Sequence, residues 1–139
     1  MPDIEVIKRH ISSFRSDLEN LNKYKSVTVN DIKANTDLLW ILERGVYLLV
    51  QNLFDMFSHI IAADFNKSWE YYSELGNILN EKKIISEKEK NLLQQMIGYR
   101  NRLSHEYLTL DTEILCDIVN NHLKDFDVFL MIIKKYCGI

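Results

Sequence analysis

The sequence predicts an all-α protein, an antiparallel bundle of four to five helices. One proline, at position 2, and four glycines in 139 residues leave almost no strand-turn punctuation, which favours helices joined by short polar loops. Apolar residues recur at steps of three and four instead of alternating, the period of a helix that buries one stripe. A chain of this length reads as a single domain over residues 1–139, able to bury about two-thirds of its unfolded surface.

The first helix is expected over residues 3 to 24, where Ile4, Ile7, Ile11, Phe14, Leu18 and Leu21 fall on one stripe. A loop over residues 23 to 28 follows, and Thr28 with Asp31 three positions on starts the next helix in the manner of a capping box. That second helix is predicted over residues 29 to 63, about 50 Å at 1.5 Å per residue. Leu38, Leu42, Leu49, Leu53, Met56 and Ile60 make its main stripe, while Trp40, Val46, Tyr47, Val50, Phe54, Phe57 and Ile61 put apolar surface on its other sides. A helix apolar nearly all round is covered on more than one side, by its own bundle or by a second subunit. Gly45, costly by about 1 kcal/mol in a helix interior, suggests close approach of a neighbouring helix.

A shorter helix over residues 66 to 80 carries Trp69, Tyr72, Leu75 and Leu79. Trp69, Tyr71 and Tyr72 are core or interface aromatics, or alternatively a stacking platform for bases. The fourth helix starts at the capping box Ser86-Glu87-Lys88-Glu89, with Leu92, Leu93, Met96, Ile97 and Leu103 facing inward. Asp111 is the expected N-cap of the last helix, which buries Ile114, Ile118, Leu123, Phe126, Leu130 and Ile133 and stops at Gly138.

Composition narrows the function. Cys116 and Cys137 are 21 residues apart on the last predicted helix and cannot bridge within it, which points to two buried thiols in a reducing cytosol. No stretch reads as a membrane span, and the N-terminal Asp3, Glu5, Lys8 and Arg9 interrupt any signal-peptide core. A cytoplasmic protein without membrane partners is expected. Asp55 and His59 stand one turn apart, but no second His or Cys lies at ligand spacing, so neither a metal nor another cofactor is expected. His122 reads as a packed helix histidine. The net charge of −3 argues against an extended basic groove and against DNA, and leaves room for a small local anion site.

That site is expected in Gly98-Tyr99-Arg100-Asn101-Arg102-Leu103-Ser104-His105-Glu106-Tyr107-Leu108. Arginine is a permanently charged fork that matches phosphate oxygens, and histidine takes and gives a proton near neutrality. Together they suffice in principle to cut RNA without a metal. In a regular helix Arg100 and His105 would project about 140° apart, Arg100 and Tyr107 would be nearly in line, and Asn101 would sit one turn from His105. Either the last turn unwinds or a second copy completes the site.

Residues 100 to 107 fit the pattern Arg-x4-His-x-Tyr, with Asn after the Arg, at every defined position. Through this block the chain resembles the HEPN superfamily and, within it, the HepT toxins of type VII (HepT/MntA) toxin-antitoxin pairs. Glu43-Arg44 followed by Asp55 and His59 is a looser likeness. The resemblance implies a HEPN-fold homodimer, the toxin component of a pair, acting on RNA as an endoribonuclease. It implies catalytic roles for Arg100 and His105, and supporting roles for Asn101, Arg102, Glu43, Arg44 and Asp55. It further implies a partner, an MntA-type nucleotidyltransferase antitoxin that transfers AMP to Tyr107. The competing reading is a non-catalytic helical module that binds a nucleotidyltransferase or a nucleotide, favoured by the acidic balance and by the apolar sides of the second helix.

Overall fold

Asp3 opens the first helix by accepting the amides of Glu5 and Val6 on its carboxylate. The computed structural model describes residues 1–103 and 112–139, and in it α1 (Ile4–Asn22) buries Ile7, Ile11, Phe14, Leu18 and Leu21 as its periodicity requires. Four helices of fifteen or more residues make the body: α1, α3 (Thr36–Phe65), α5 (Glu87–Leu103) and α7 (Leu123–Cys137). Shorter elements, α2 (Val29–Ala34), α4 (Ser73–Glu81) and α6 (Thr112–Asp117), fill the corners. Among the described residues there is no strand.

The long helices alternate in direction. Asp3 donates its amide to His59 at 3.1 Å, His10 pairs with Asn52 at 2.5 Å, and Leu21 lies against Gly45, so α1 runs antiparallel to α3. A Cβ on Gly45 would stand 2.7 Å from Leu21 Cδ2 and 3.0 Å from its Cγ; the close approach expected of that glycine is real. Arg100 meets Gln51 while Leu103, further along α5, lies beside Tyr47 and Arg44, earlier on α3, so α5 runs antiparallel to α3. Phe57 meets Phe129 edge-on at 6.0 Å, and Tyr136 donates to Asp64, so α7 runs parallel to α3. This is the up-down-up-down bundle that the sequence predicts.

α3 is the central element. Ten of its side chains are buried, Phe54, Phe57 and Met56 completely, and the bundle itself covers most of its apolar circumference. By length and composition α3 also meets the criterion for a membrane span, contrary to the expectation that no stretch would. Its burial against α1, α5 and α7 accounts for that apolarity as the core of a bundle.

Two boundaries and one interior turn differ from the prediction. The helix expected over residues 29 to 63 breaks at Asn35, whose backbone is extended (φ −142°, ψ 102°) and whose side chain accepts the Leu38 amide at 3.2 Å. Asn35 thereby ends α2 and caps α3. An Asn35→Ala variant loses that cap and is expected to be less stable by about 1 kcal/mol, read as a lower urea midpoint at unchanged m-value. The helix expected over residues 66 to 80 starts only at Ser73, because Asn66 turns left-handed (φ 47°) and the Glu74 carboxylate accepts the amides of Glu70 and Tyr71. The last helix contains one π-helical turn, Ile118–His122, between α6 and α7. Its Asn120 accepts the Ser26 amide at 2.6 Å and donates to the Val27 carbonyl at 2.9 Å, fastening the loop between α1 and α2.

Both expected capping boxes form: Thr28 with Asp31, and Ser86 with Glu89. Gly138 ends α7 in the left-handed conformation (φ 70°). The expected cap Asp111 lies outside the described residues. Cys116 and Cys137 are free thiols; Cys137 is buried and Cys116 half-buried, with its Sγ 3.1 Å from the Val27 carbonyl.

Candidate active site at the end of α5

α5 buries Leu93, Met96 and Ile97, and Arg100 follows Met96 by four positions and Ile97 by three. The same helical face that packs on α3 therefore carries a guanidinium one turn further on. Arg100 is half-buried, and its Nε donates to Gln51 Oε1 at 3.1 Å. Its Cζ lies 4.6 Å from the centroid of the Tyr72 ring, within cation–π range. Tyr72 is held in turn by Phe54, at 5.4 Å between centroids.

Gln51 is the hub. Its amide nitrogen donates to Asp55 Oδ1 at 2.9 Å and reaches Tyr72 Oη at 3.4 Å, while its oxygen receives Arg100. A neutral amide thus stands between Arg100 and Asp55 and relays the carboxylate's pull without a direct ion pair. Because Nε takes this bond, the Nη1 and Nη2 end of the fork, the end suited to phosphate, is not used by Gln51.

About two turns before Gln51 on α3 a second group collects. Trp40, Glu43, Arg44 and Tyr47 line a cleft of about 410 Å³ whose far wall is Leu103 of α5. Arg44 Cζ lies 5.6 Å from the Tyr47 ring centroid. On its other side Arg44 faces Asp17 of α1, whose carboxyl is raised above the usual range by burial and partly drawn back by this guanidinium.

Next to Arg100 on α5, Tyr99 feels the carboxylates that flank the π-helical turn. Burial pushes the Tyr99 phenol up, and Asp117 and Asp125 add to the shift. Between those two carboxylates sits His122, Nε2 at 3.0 Å from Asp117 and Nδ1 at 3.0 Å from Asp125. His122 is a packing histidine, as expected, with both ring nitrogens engaged. His59 takes the Asp3 amide from the start of α1, and Asp55 takes the Gln51 side-chain amide one turn back on α3, so each of the two has a partner other than its neighbour one turn away.

Residues 6–133 match the profile of the family described as Ribonuclease HepT-like. The chain belongs to the HepT-like family. Among its relatives are the mRNA nuclease HepT of Shewanella oneidensis, 33% identical over 57 residues that span 41% of this chain and 43% of that protein, and the tRNA nuclease HepT of Aphanizomenon flos-aquae, 25% identical with 98% and 94% covered. Among solved structures, the tri-AMPylated Shewanella oneidensis HEPN toxin in complex with MNT antitoxin superposes at a TM-score of 0.84 with 21% identity, covering 97% of this chain and 99% of the other. The cytosolic protein YutE of Bacillus subtilis superposes at 0.80 with 24% identity, covering 99% and 92%. These likenesses establish the HEPN fold for the present chain.

In this HepT-like protein the residues predicted for the site divide into two groups. Arg100 and Asp55 meet through Gln51, whereas Glu43 and Arg44 line the cleft beside Leu103, about 18 Å along α3 from Asp55. Asn101 and Arg102 are exposed, with Arg102 about 160° around the helix from Arg100. His105 and Tyr107 lie outside the described residues. Gln51 is the member of the site that sequence reasoning missed, while Tyr72, weighed there as a packing or base-stacking aromatic, lies under the Arg100 guanidinium. For Gln51 the signal was present: a polar residue inside the run Leu48-Leu49-Val50-Gln51-Asn52-Leu53-Phe54, one turn before Asp55.

Proposed function

We propose that this HepT-like chain is the toxin of a toxin-antitoxin pair, a metal-independent endoribonuclease whose active site is shared across a homodimer. The observation that carries the proposal is Arg100, half-buried and oriented by Gln51 and Tyr72 at the end of the helix that leads into His105. A guanidinium fixed in this way loses little entropy when it binds a phosphate. Two relatives, an mRNA nuclease and a tRNA nuclease, support RNA as the substrate.

In the proposed reaction one copy of His105 takes the proton of the ribose 2′-OH, whose oxygen attacks phosphorus. The P–O5′ bond breaks as His105 of the second copy protonates the departing O5′. Arg100 from each copy holds the non-bridging oxygens as charge builds on them, with Asn101 steadying the ring or the phosphate and Glu43, Arg44, Asp55 and Arg102 in supporting positions. The products are a 2′,3′-cyclic phosphate and a 5′-hydroxyl. Purified protein incubated with end-labelled RNA in EDTA is expected to give these ends, with a rate that rises and falls around the imidazole pKa. Intact RNA under those conditions, with cutting restored only by a divalent cation, would contradict the mechanism.

Tyr107 is the proposed control point, modified with AMP by an MntA-type nucleotidyltransferase antitoxin in the cytoplasm. The HEPN toxin of Shewanella oneidensis, similar in fold, is tri-AMPylated and in complex with its MNT antitoxin. Added phosphates would bring negative charge into the mouth of an anion site and repel RNA. After coexpression with a cognate nucleotidyltransferase, intact mass is expected to show AMP-sized increments that disappear in Tyr107→Phe; increments that persist there would move the modification elsewhere.

A second reading, a non-catalytic module that binds a nucleotidyltransferase or nucleotide, is favoured by the net charge of −3 and by Trp40 and Ile41, which stay exposed beside the site. The same EDTA incubation separates the two.

A further inference from the structure

Trp40 is out of place for a bundle helix. α3 buries ten side chains, yet this indole, 67% exposed, stands at the rim of the cleft that Leu103 closes. Trp40, Arg44 and Tyr47 follow one another at steps of four and three, so they share one face of α3, and the Arg44 guanidinium already lies against the Tyr47 ring. Two aromatic rings and a planar cation on one wall are groups that stack with the flat face of a base. The position is also telling. Leu103 follows Arg100 by three residues on α5, a rise of about 4.5 Å, and precedes His105 by two.

We propose that the cleft between Trp40, Glu43, Arg44, Tyr47 and Leu103 is the nucleobase subsite of the nuclease, where a base flanking the scissile phosphate stacks on Trp40 beside Arg44. This inference rests on the endoribonuclease reading above. An apolar side chain of a protein partner would desolvate Glu43 and Arg44 without replacing their hydrogen bonds, whereas a base brings its own donors and acceptors. Stacking also answers the acidic balance of the chain, −3, because base–aromatic contact adds affinity without added positive charge. Trp40 and Tyr47 thus supply binding where a basic groove is lacking.

The sequence has two tryptophans, Trp40 and Trp69, which makes the subsite directly observable. The probe is a mixed-sequence hexanucleotide with 2′-O-methyl groups, which lacks the nucleophile and binds without being cut. In full-length Trp69→Phe protein, where Trp40 is the sole indole, the hexamer is expected to quench emission on binding; in Trp40→Phe protein it should bind with no quench. By anisotropy Trp40→Ala should weaken binding at least about tenfold, the size of one lost base stack, while Trp40→Phe should weaken it only a few-fold. Binding with Trp40 silent, or unweakened in Trp40→Ala, overturns the subsite and leaves the nuclease reading standing. A Trp40→Ala protein that turns monomeric in light scattering overturns it too, since the surface would then be a subunit contact. Failure of the hexamer to bind the unaltered protein removes both.

Discussion

A His105→Ala variant is expected to lose RNA cleavage by at least about 10³-fold while remaining folded and unchanged in oligomeric state. Positioned proton transfer contributes about 10² to 10⁴ in rate, and in a homodimer one substitution removes both the base that takes the 2′-OH proton and the acid that protonates O5′. The three described imidazoles are engaged elsewhere: His10 is tied to Asn52, His59 to the Asp3 amide, and His122 to Asp117 and Asp125. The comparison requires circular dichroism and light scattering on the same samples, so that lost activity is not lost structure. Cleavage retained within a few-fold would eliminate His105 as the proton carrier.

Arg100→Ala is expected to lower the rate by about 10² to 10³-fold, the usual loss when a preorganised donor to a developing oxyanion is removed. Arg100→Lys should recover little of it. An ammonium is a point charge with no planar fork, and it cannot both lie on the Tyr72 ring and present a paired edge to phosphate as the guanidinium at 4.6 Å does. Tyr72→Phe separates the ring from the hydroxyl: the Gln51 contact at 3.4 Å is lost but the stack on Arg100 and on Phe54 survives. Activity within a few-fold of the original is the expected outcome there. Full activity in Arg100→Lys would show that charge alone is required and that the oriented fork is not.

Much of the fold was legible because its determinants are local. Ser86 and Glu89, Thr28 and Asp31, and Gly138 each act within four residues of themselves, and all three sit where their chemistry places them. The break at Asn35 was hidden because Ile32, Leu38, Leu39 and Leu42 keep a plausible helical rhythm across it, and only the choice of Asn35 to cap forward onto Leu38 ends α2. The π-helical turn at residues 118–122 depends on Asn120 reaching a loop 93 and 94 positions away, information no local window carries.

The site divides in the same manner. That Arg100 faces inward follows from Met96 and Ile97, four and three positions before it. That it lands on Gln51 and Tyr72, 49 and 28 positions earlier in the chain, follows from the antiparallel docking of α5 on α3 and from the non-helical approach to α4. Gln51 reads as one more polar residue until α5 is placed over it. Arg102, two residues on from Arg100, points about 160° away from it and is exposed, while Arg44 lines a separate cleft with Leu103.

If two protomers complete one active site, exchanging subunits between intact and inactive dimers will expose the dependence of each copy on the other. Unaltered protein mixed one to one with His105→Ala protein and allowed to exchange should keep about one quarter of the unmixed activity, because only dimers with two intact copies cut RNA. Retention of about one half, the value for protomers that work independently, would contradict the shared site.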